Sequence, residues 1–205
     1  MGLLRSDTRV RALDTVTALM AAPVFQVTSV YLSGFRKALV DLGLLDAVTP
    51  RVDSKTREVL EHPFSSRTHD GSVLQQLSDA LVEAAGSEVF EQHAYLMARD
   101  SLGRILIPMF KVALELTGRT PATLLARVPD SVHQAMRGVT VTWTPVSTRS
   151  GLLAVTYPLV VNRSAERGWR GTLRFLFELI DGTPATISKA EWLERDTRLH
   201  LHITW

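Results

Sequence analysis

The hydrophobic period of this chain changes at Gly138, and that change limits what it can fold into. Before Gly138 the apolar residues recur at helical spacing. After it Val139, Val141 and Trp143 alternate with threonines, the two-residue period of a strand with one face buried. A stretch patterned for a helix does not settle as a strand, so the two parts must form different layers. The pattern predicts an α+β fold: an N-terminal helical bundle packed on a small antiparallel sheet, with a ββαββ C-terminal half. At 205 residues the chain suits a single domain over 1–205, divided into a helical arm (1–30), a helical region (31–137) and the ββαββ region (138–205).

Punctuation refines the helical part. Residues 7–20 carry Val10, Leu13, Val16 and Met20 on one face, and Pro23 ends that helix. Residues 24–31 are β-branched and fit either a short strand or the approach to the next helix. Phe35, Ala38, Leu39 and Leu42 predict a helix over 33–42, stopped by Gly43. Leu74, Leu77, Leu81 and Val82 predict another over 73–85, stopped by Gly86. Between them, 44–66 reads as loop with a helical piece near 57–60. The longest apolar stretch, 89–116, predicts a central helix pair that breaks or kinks at Pro108. Thr120 and Pro121 then open a short helix that Pro129 is expected to limit.

In the last third, 139–143 and 153–161 read as a hairpin, 168–180 as a helix stopped by Asp181-Gly182, and 186–193 with 198–205 as a second hairpin. Leu199, Leu201, Ile203 and Trp205 alternate with His200, His202 and Thr204, as in a sheet with one wet face.

Several function classes lose their support at this level. The net charge is only +2, with both signs mixed along the chain, so nucleic acid is not an expected partner. With no Cys there is no thiol catalysis, thiolate metal site or disulfide framework. The absence of an apolar run long enough for a membrane span, and of a secretory pattern near the start, leads to a cytoplasmic expectation. No Gly-x-Ser-x-Gly elbow and no glycine-rich phosphate loop occurs, so a catalytic role is not expected.

Histidines are the remaining metal or acid–base candidates. His200 and His202 share a strand face, yet no third ligand is evident locally, and they read as solvent-side residues. His62, His69, His93 and His133 are isolated and read as surface or boundary residues. No metal site and no cofactor are expected. Arg99, Arg104 and Lys111 lie near the most apolar helices, where they read as snorkelling or paired cations.

The tail GWRGTLRFLFELIDGTPATISKAEWLERDTRLHLHITW resembles the closing helix and hairpin of a superfamily containing four-vinyl reductase domains, TRAPP subunits of the Bet-three type and haem nitric oxide/oxygen binding (H-NOX) domains. Within it, residues 31–205 are similar to a family of myxobacterial proteins of about this length. That similarity rests on LSGFRKALVDLGL, on ARDSLGRILIPMFKVALELTG, on Tyr157-Pro158 and on Trp205. The resemblance implies a module that binds a small hydrophobic ligand or serves as an adaptor and dimerisation unit. H-NOX domains hold haem through a helical His and a Tyr-x-Ser-x-Arg motif. Here Ser147 and Arg149 match that motif, while Pro145 stands in the Tyr position.

The resulting expectation is a non-enzymatic sensory or regulatory module, homodimeric or bound to a protein partner, with a pocket between helices and sheet. Leu106, Met109, Phe110 and Trp143 are its expected walls and Arg149 its polar anchor. The alternative is an interaction scaffold with a filled core and no ligand.

Overall fold

A computed structural model describes residues 24–102, 120–180 and 184–205 of the chain. The expected helix at 7–20, the proposed wall residues Leu106, Met109 and Phe110, and the Asp181-Gly182 stop lie outside the described residues. What is described is α+β, as the change of period requires.

The β-branched segment that the sequence left open forms both alternatives in turn. Gln26–Thr28 is a short strand (β1), and Thr28 then caps helix α1 (Ser29–Asp41), its hydroxyl accepting from the Tyr31 N–H. This helix ends where expected. Gly43 has φ +68°, its N–H donates to the Val40 carbonyl, and the Leu44 N–H donates to that of Leu39. The double bond satisfies two end carbonyls and requires the left-handed conformation that glycine adopts at no steric cost.

The helical piece expected near 57–60 is present, and the rest of 44–66 is more ordered than the loop that was expected. These residues form α2 (Leu45–Val48), a 3₁₀ turn (Thr49–Arg51), α3 (Ser54–Glu61) and a second 3₁₀ turn (Pro63–Ser65). The physical reason for α3 is a cap: the Asp53 carboxylate accepts from the Thr56 N–H at 2.7 Å and also binds Gln76 of the next helix. Strand β2 (Thr68–Asp70) leads into α4 (Gly71–Ala85), capped by Asp70 through the Ser72 N–H. Gly86, at φ +87°, separates it from α5 (Ser87–Met97), which continues as a π turn over Ala98–Leu102.

Thr120 caps α6 (Pro121–Leu125) as expected, its hydroxyl accepting from the Thr123 N–H. Pro129 does not limit this helix. It lies in the first turn of a separate helix, α7 (Val128–Ala135), where its missing N–H costs no helical bond. Strand β3 (Met136–Arg137) follows and joins a small sheet in the order β2-β1-β3, which no sequence period announced.

The larger sheet matches the alternating pattern closely. Its strands are β4 (Thr140–Ser147), β5 (Ser150–Thr156), β6 (Thr186–Leu193) and β7 (Arg198–Thr204), with α8 (Ala165–Glu178) between the hairpins. The order is β4-β5-β7-β6, every neighbour antiparallel. Val155 pairs with Leu199, Leu153 with Leu201 and Gly151 with Ile203, so one face of the centre is wholly apolar. Leu153, Val155, Leu199, Leu201 and Ile203 are completely buried, and they join the helices in one hydrophobic cluster.

Helix α8 is amphipathic, and its Trp169, Leu173, Leu176 and Phe177 are buried. It crosses α5 at Gly171, where a Cβ would stand 2.0 Å from the Glu91 carbonyl oxygen. Only a residue without a side chain allows that approach. Arg167–Glu91, Arg174–Gln92 and Tyr95–Glu178 then tie the rims of the two helices, with the Arg174 guanidinium 4.1 Å above the Tyr95 ring.

Candidate functional site

Helices α1, α4, α5, α7 and α8 do not close completely on one another. Among them lies a cavity of about 140 Å³. A void of roughly 150 Å³ lined by apolar side chains admits benzene or xenon, whereas drug-sized pockets run from roughly 300 Å³ upward. The space is therefore that of a single ring.

Its inner wall is aromatic and apolar: Phe25, Phe35, Phe90, Met97 and Trp169 all reach it and all are buried. Tyr157 and Tyr31 add two hydroxyls. The Trp169 indole N–H donates to the Tyr157 hydroxyl at 2.7 Å, fixing both rings. Burial pushes the Tyr31 hydroxyl up to about 12 and raises Tyr157 as well, so both stay protonated at neutral pH. The opposite side is polar, with Gln75, Ser78 and Asp79 of α4 facing Asn162 and Ser164 from the segment before α8. Gln75 Nε2 donates to the Val160 carbonyl across this gap. Among the described lining residues there is no Lys or Arg, so the formal charge on this wall comes from Asp79.

His93 is the unusual member. It lies on the apolar face of α5 with Phe90, Ala94 and Met97, is 1% exposed, and packs between Phe35 and Phe90 at ring separations of 4.2 and 6.4 Å. Burial lowers its pKa to about 4, the bond to the Phe35 carbonyl opposing this only in part. The ring is thus neutral. Nε2 lies 2.9 Å from the Phe35 carbonyl, which can only accept, so Nε2 carries the proton and Nδ1 presents a bare lone pair.

That lone pair has no partner among the described residues. Two other buried atoms, in residues that border the same cavity, share this condition, Asp79 Oδ1 and Ser164 Oγ. Leaving a buried polar atom unpaired costs roughly 1–3 kcal/mol. All three belong to residues that border one void.

Of the residues proposed from sequence, the two that are described, Trp143 and Arg149, do not line this cavity. Trp143 lies on the apolar face of the larger sheet, half-buried across Gly151, where a Cβ would stand 2.1 Å from its ring, with Trp205 6.1 Å away. Arg149 is exposed in the β4–β5 turn, where its N–H donates to Ser147 Oγ and its carbonyl accepts from the Trp205 N–H. Neither lines the cavity. His200 and His202 do share the outer sheet face, opposite Glu191, which lies 3.5 Å from His202. No group of three or more His, Asp or Glu among the described residues is arranged to hold a metal ion.

No family model matches the chain, and no curated protein matches it in sequence. Its fold is similar to solved H-NOX structures. One is an Fe(II) unliganded H-NOX protein from K. algicida, 15% identical, with 86% of this chain and 95% of that one covered at a TM-score of 0.61. Another is a variant H-NOX protein of T. tengcongensis, 12% identical, covering 86% and 96% at 0.58. A third, from work on haem distortion in the H-NOX family, is 13% identical and covers 87% and 94% at 0.58. At these identities the likeness establishes the fold: the described residues have an H-NOX-like architecture.

Haem can be tested against the residues present. A tetrapyrrole is several times wider than a single ring, and its carboxylates call for cations that the described lining does not supply. Ser147 and Arg149, the two matches to the propionate motif, lie away from the cavity. His93 Nδ1 is the one imidazole lone pair on the wall, and its ring is wedged between Phe35 and Phe90. The described lining does not fit haem.

Sequence reasoning missed His93, although a signal was present. It occupies the i+3 position after Phe90, inside the buried stripe completed by Ala94 and Met97.

Proposed function

We propose that this protein is a non-enzymatic sensory or regulatory module that holds a small, single-ring guest in the cavity between α1, α4, α5, α7 and α8. The observation that carries the proposal is the void of about 140 Å³ walled by Phe25, Phe35, Phe90, Met97 and Trp169, a space that one ring fills. The H-NOX-like fold supports the general reading of a ligand-holding domain, and the cavity's size moves the ligand class from tetrapyrroles to single rings.

Among the described residues no helix is long and apolar enough to cross a membrane. The contacts for the guest are Phe35, Phe90, His93, Met97, Tyr157 and Trp169 in place of Trp143 and Arg149.

Calorimetric titration of the purified chain with benzene tests the reading. Saturable binding of one equivalent is expected, abolished in Ala94→Leu, whose side chain would occupy the space. No heat, or equal heat in the filled variant, would refute the proposal.

A further inference from the structure

A guest needs a way into the cavity, and one stretch of chain stands where the cavity meets solvent. Residues 158–164 join β5 to α8 without helix or strand, and Val161, the exposed Asn162 and Ser164 border the cavity. The ends of this stretch are held by short bonds. The Tyr157 N–H donates to the Thr197 carbonyl at 2.8 Å, and the Ala165 N–H, opening α8, donates to the Asn162 carbonyl at 2.9 Å. The middle is held more lightly. Gln75 Nε2 donates to the Val160 carbonyl from α4 at 3.3 Å, the Val161 N–H to the Asp196 carbonyl at 3.3 Å, and Arg163 Nε to Asp196 Oδ1 at 3.1 Å. Long bonds close to water are among the first to open in a folded protein, and two of these three end on Asp196.

Asp196 lies in the β6–β7 turn, where Glu194, Arg195 and Asp196 have φ of +50°, +55° and +66°. Three successive non-glycine residues in the left-handed region are sterically costly, and such a turn persists only where its surroundings fix it. From outside the hairpin, the Tyr157, Val161 and Arg163 donors do so. The stretch and the turn hold each other.

Resting on the cavity reading above, we infer that residues 158–164 form a strap across the edge of the cavity, latched by Asp196, and that a guest enters and leaves when the latch releases. A gate that is closed both with and without guest scales entry and escape by one open fraction. It therefore sets the rates and leaves the affinity unchanged.

The test uses the full chain with benzene as probe, NMR line shapes for the rates, and hydrogen exchange at the Val161 amide as the reading of the latch itself. Asp196→Asn removes the ion pair while tolerating the left-handed backbone, and Arg163→Gln removes it from the other side. Each should raise benzene association and dissociation together by about threefold, the worth of one exposed ion pair, with Kd unchanged and Val161 exchange faster by the same factor. Arg195→Ala, in the same turn but with no side-chain bond to the strap, should alter none of these. Unchanged rates in both latch variants, a rise in dissociation alone that weakens Kd, or an equal effect in Arg195→Ala would each overturn the latch. Benzene binding with unaltered rates removes the strap and leaves the cavity reading standing; no benzene binding to the unaltered chain removes both.

Discussion

The larger sheet and the helical layer both bury apolar side chains but finish the task differently. On the sheet, Leu153, Val155, Leu199, Leu201 and Ile203 stand in register and are completely buried, and even the small gap above Gly151 is taken by Trp143. Among the helices, five elements surround a void of about 140 Å³ and leave His93, Asp79 and Ser164 with unused polar atoms. The difference teaches where function resides. Cross-strand pairing forces neighbours together at fixed spacing, so a sheet face fills or fails. Helix packing depends on how ridges meet and tolerates a gap where the ends are pinned elsewhere, as α5 and α8 are at Gly171.

Substitutions should respond to this contrast. The largest effect is expected on the filled side: Leu201→Ala deletes a fully buried side chain from the central strand and should cost about 4 kcal/mol, read by chemical denaturation. A loss under about 1 kcal/mol would show that the sheet layer is less tightly packed than the helical one.

The next effect comes from His93. Its folded-state pKa of about 4 lies below the ordinary value of 6.5, so the unfolded chain takes up the proton first as the pH falls. Stability is therefore unaffected by this group above pH 6.5, falls between 6.5 and about 4, and loses no more below that. The loss amounts to roughly 3 kcal/mol. Asp100 titrates in a separate window, because the Arg99 and Lys37 side chains hold its carboxylate down at about 2. Its contribution is present above the ordinary carboxylate range and disappears only as the pH drops toward 2. A His93→Gln variant should lack the upper step and keep the lower one; an unchanged upper step would assign it to another group.

Gly171→Ala should cost about 2 kcal/mol, since its Cβ meets backbone of α5, which cannot turn aside as a side chain can. Wild-type stability in that variant would mean that the helix crossing is loose. The smallest effect is expected from Ala94→Leu, which adds carbon where the cavity offers room and should change stability by no more than about 1 kcal/mol while removing benzene binding.

The sheet was readable in the sequence because a period of two ties each residue to a face, and Leu199, Leu201 and Ile203 declared theirs. The caps at Thr120 and the stops at Gly43 and Gly86 were readable for a similar reason, since their chemistry is local. The small sheet was not, because strands of two or three residues hold no period, and the pairing of β5 with β7 depends on residues far apart in sequence. Of the helical pieces in 45–65, the one near 57–60 was readable, and the others were hidden by proline and histidine punctuation that marks ends without forbidding short turns. The site was the least readable part. His93 showed its face through its spacing from Phe90, but its unpaired nitrogen depends on the Phe35 carbonyl 58 residues away, a tertiary contact without local signature.

The central claim, a hollow among the helices that receives a guest, is tested most directly by methyl NMR of the full chain during titration with benzene. Saturable shifts confined to Met97, Met136 and Ala94, with Leu201 and Ile203 unmoved, are the predicted result. Absence of saturable shifts, or shifts centred on the sheet residues, would contradict it.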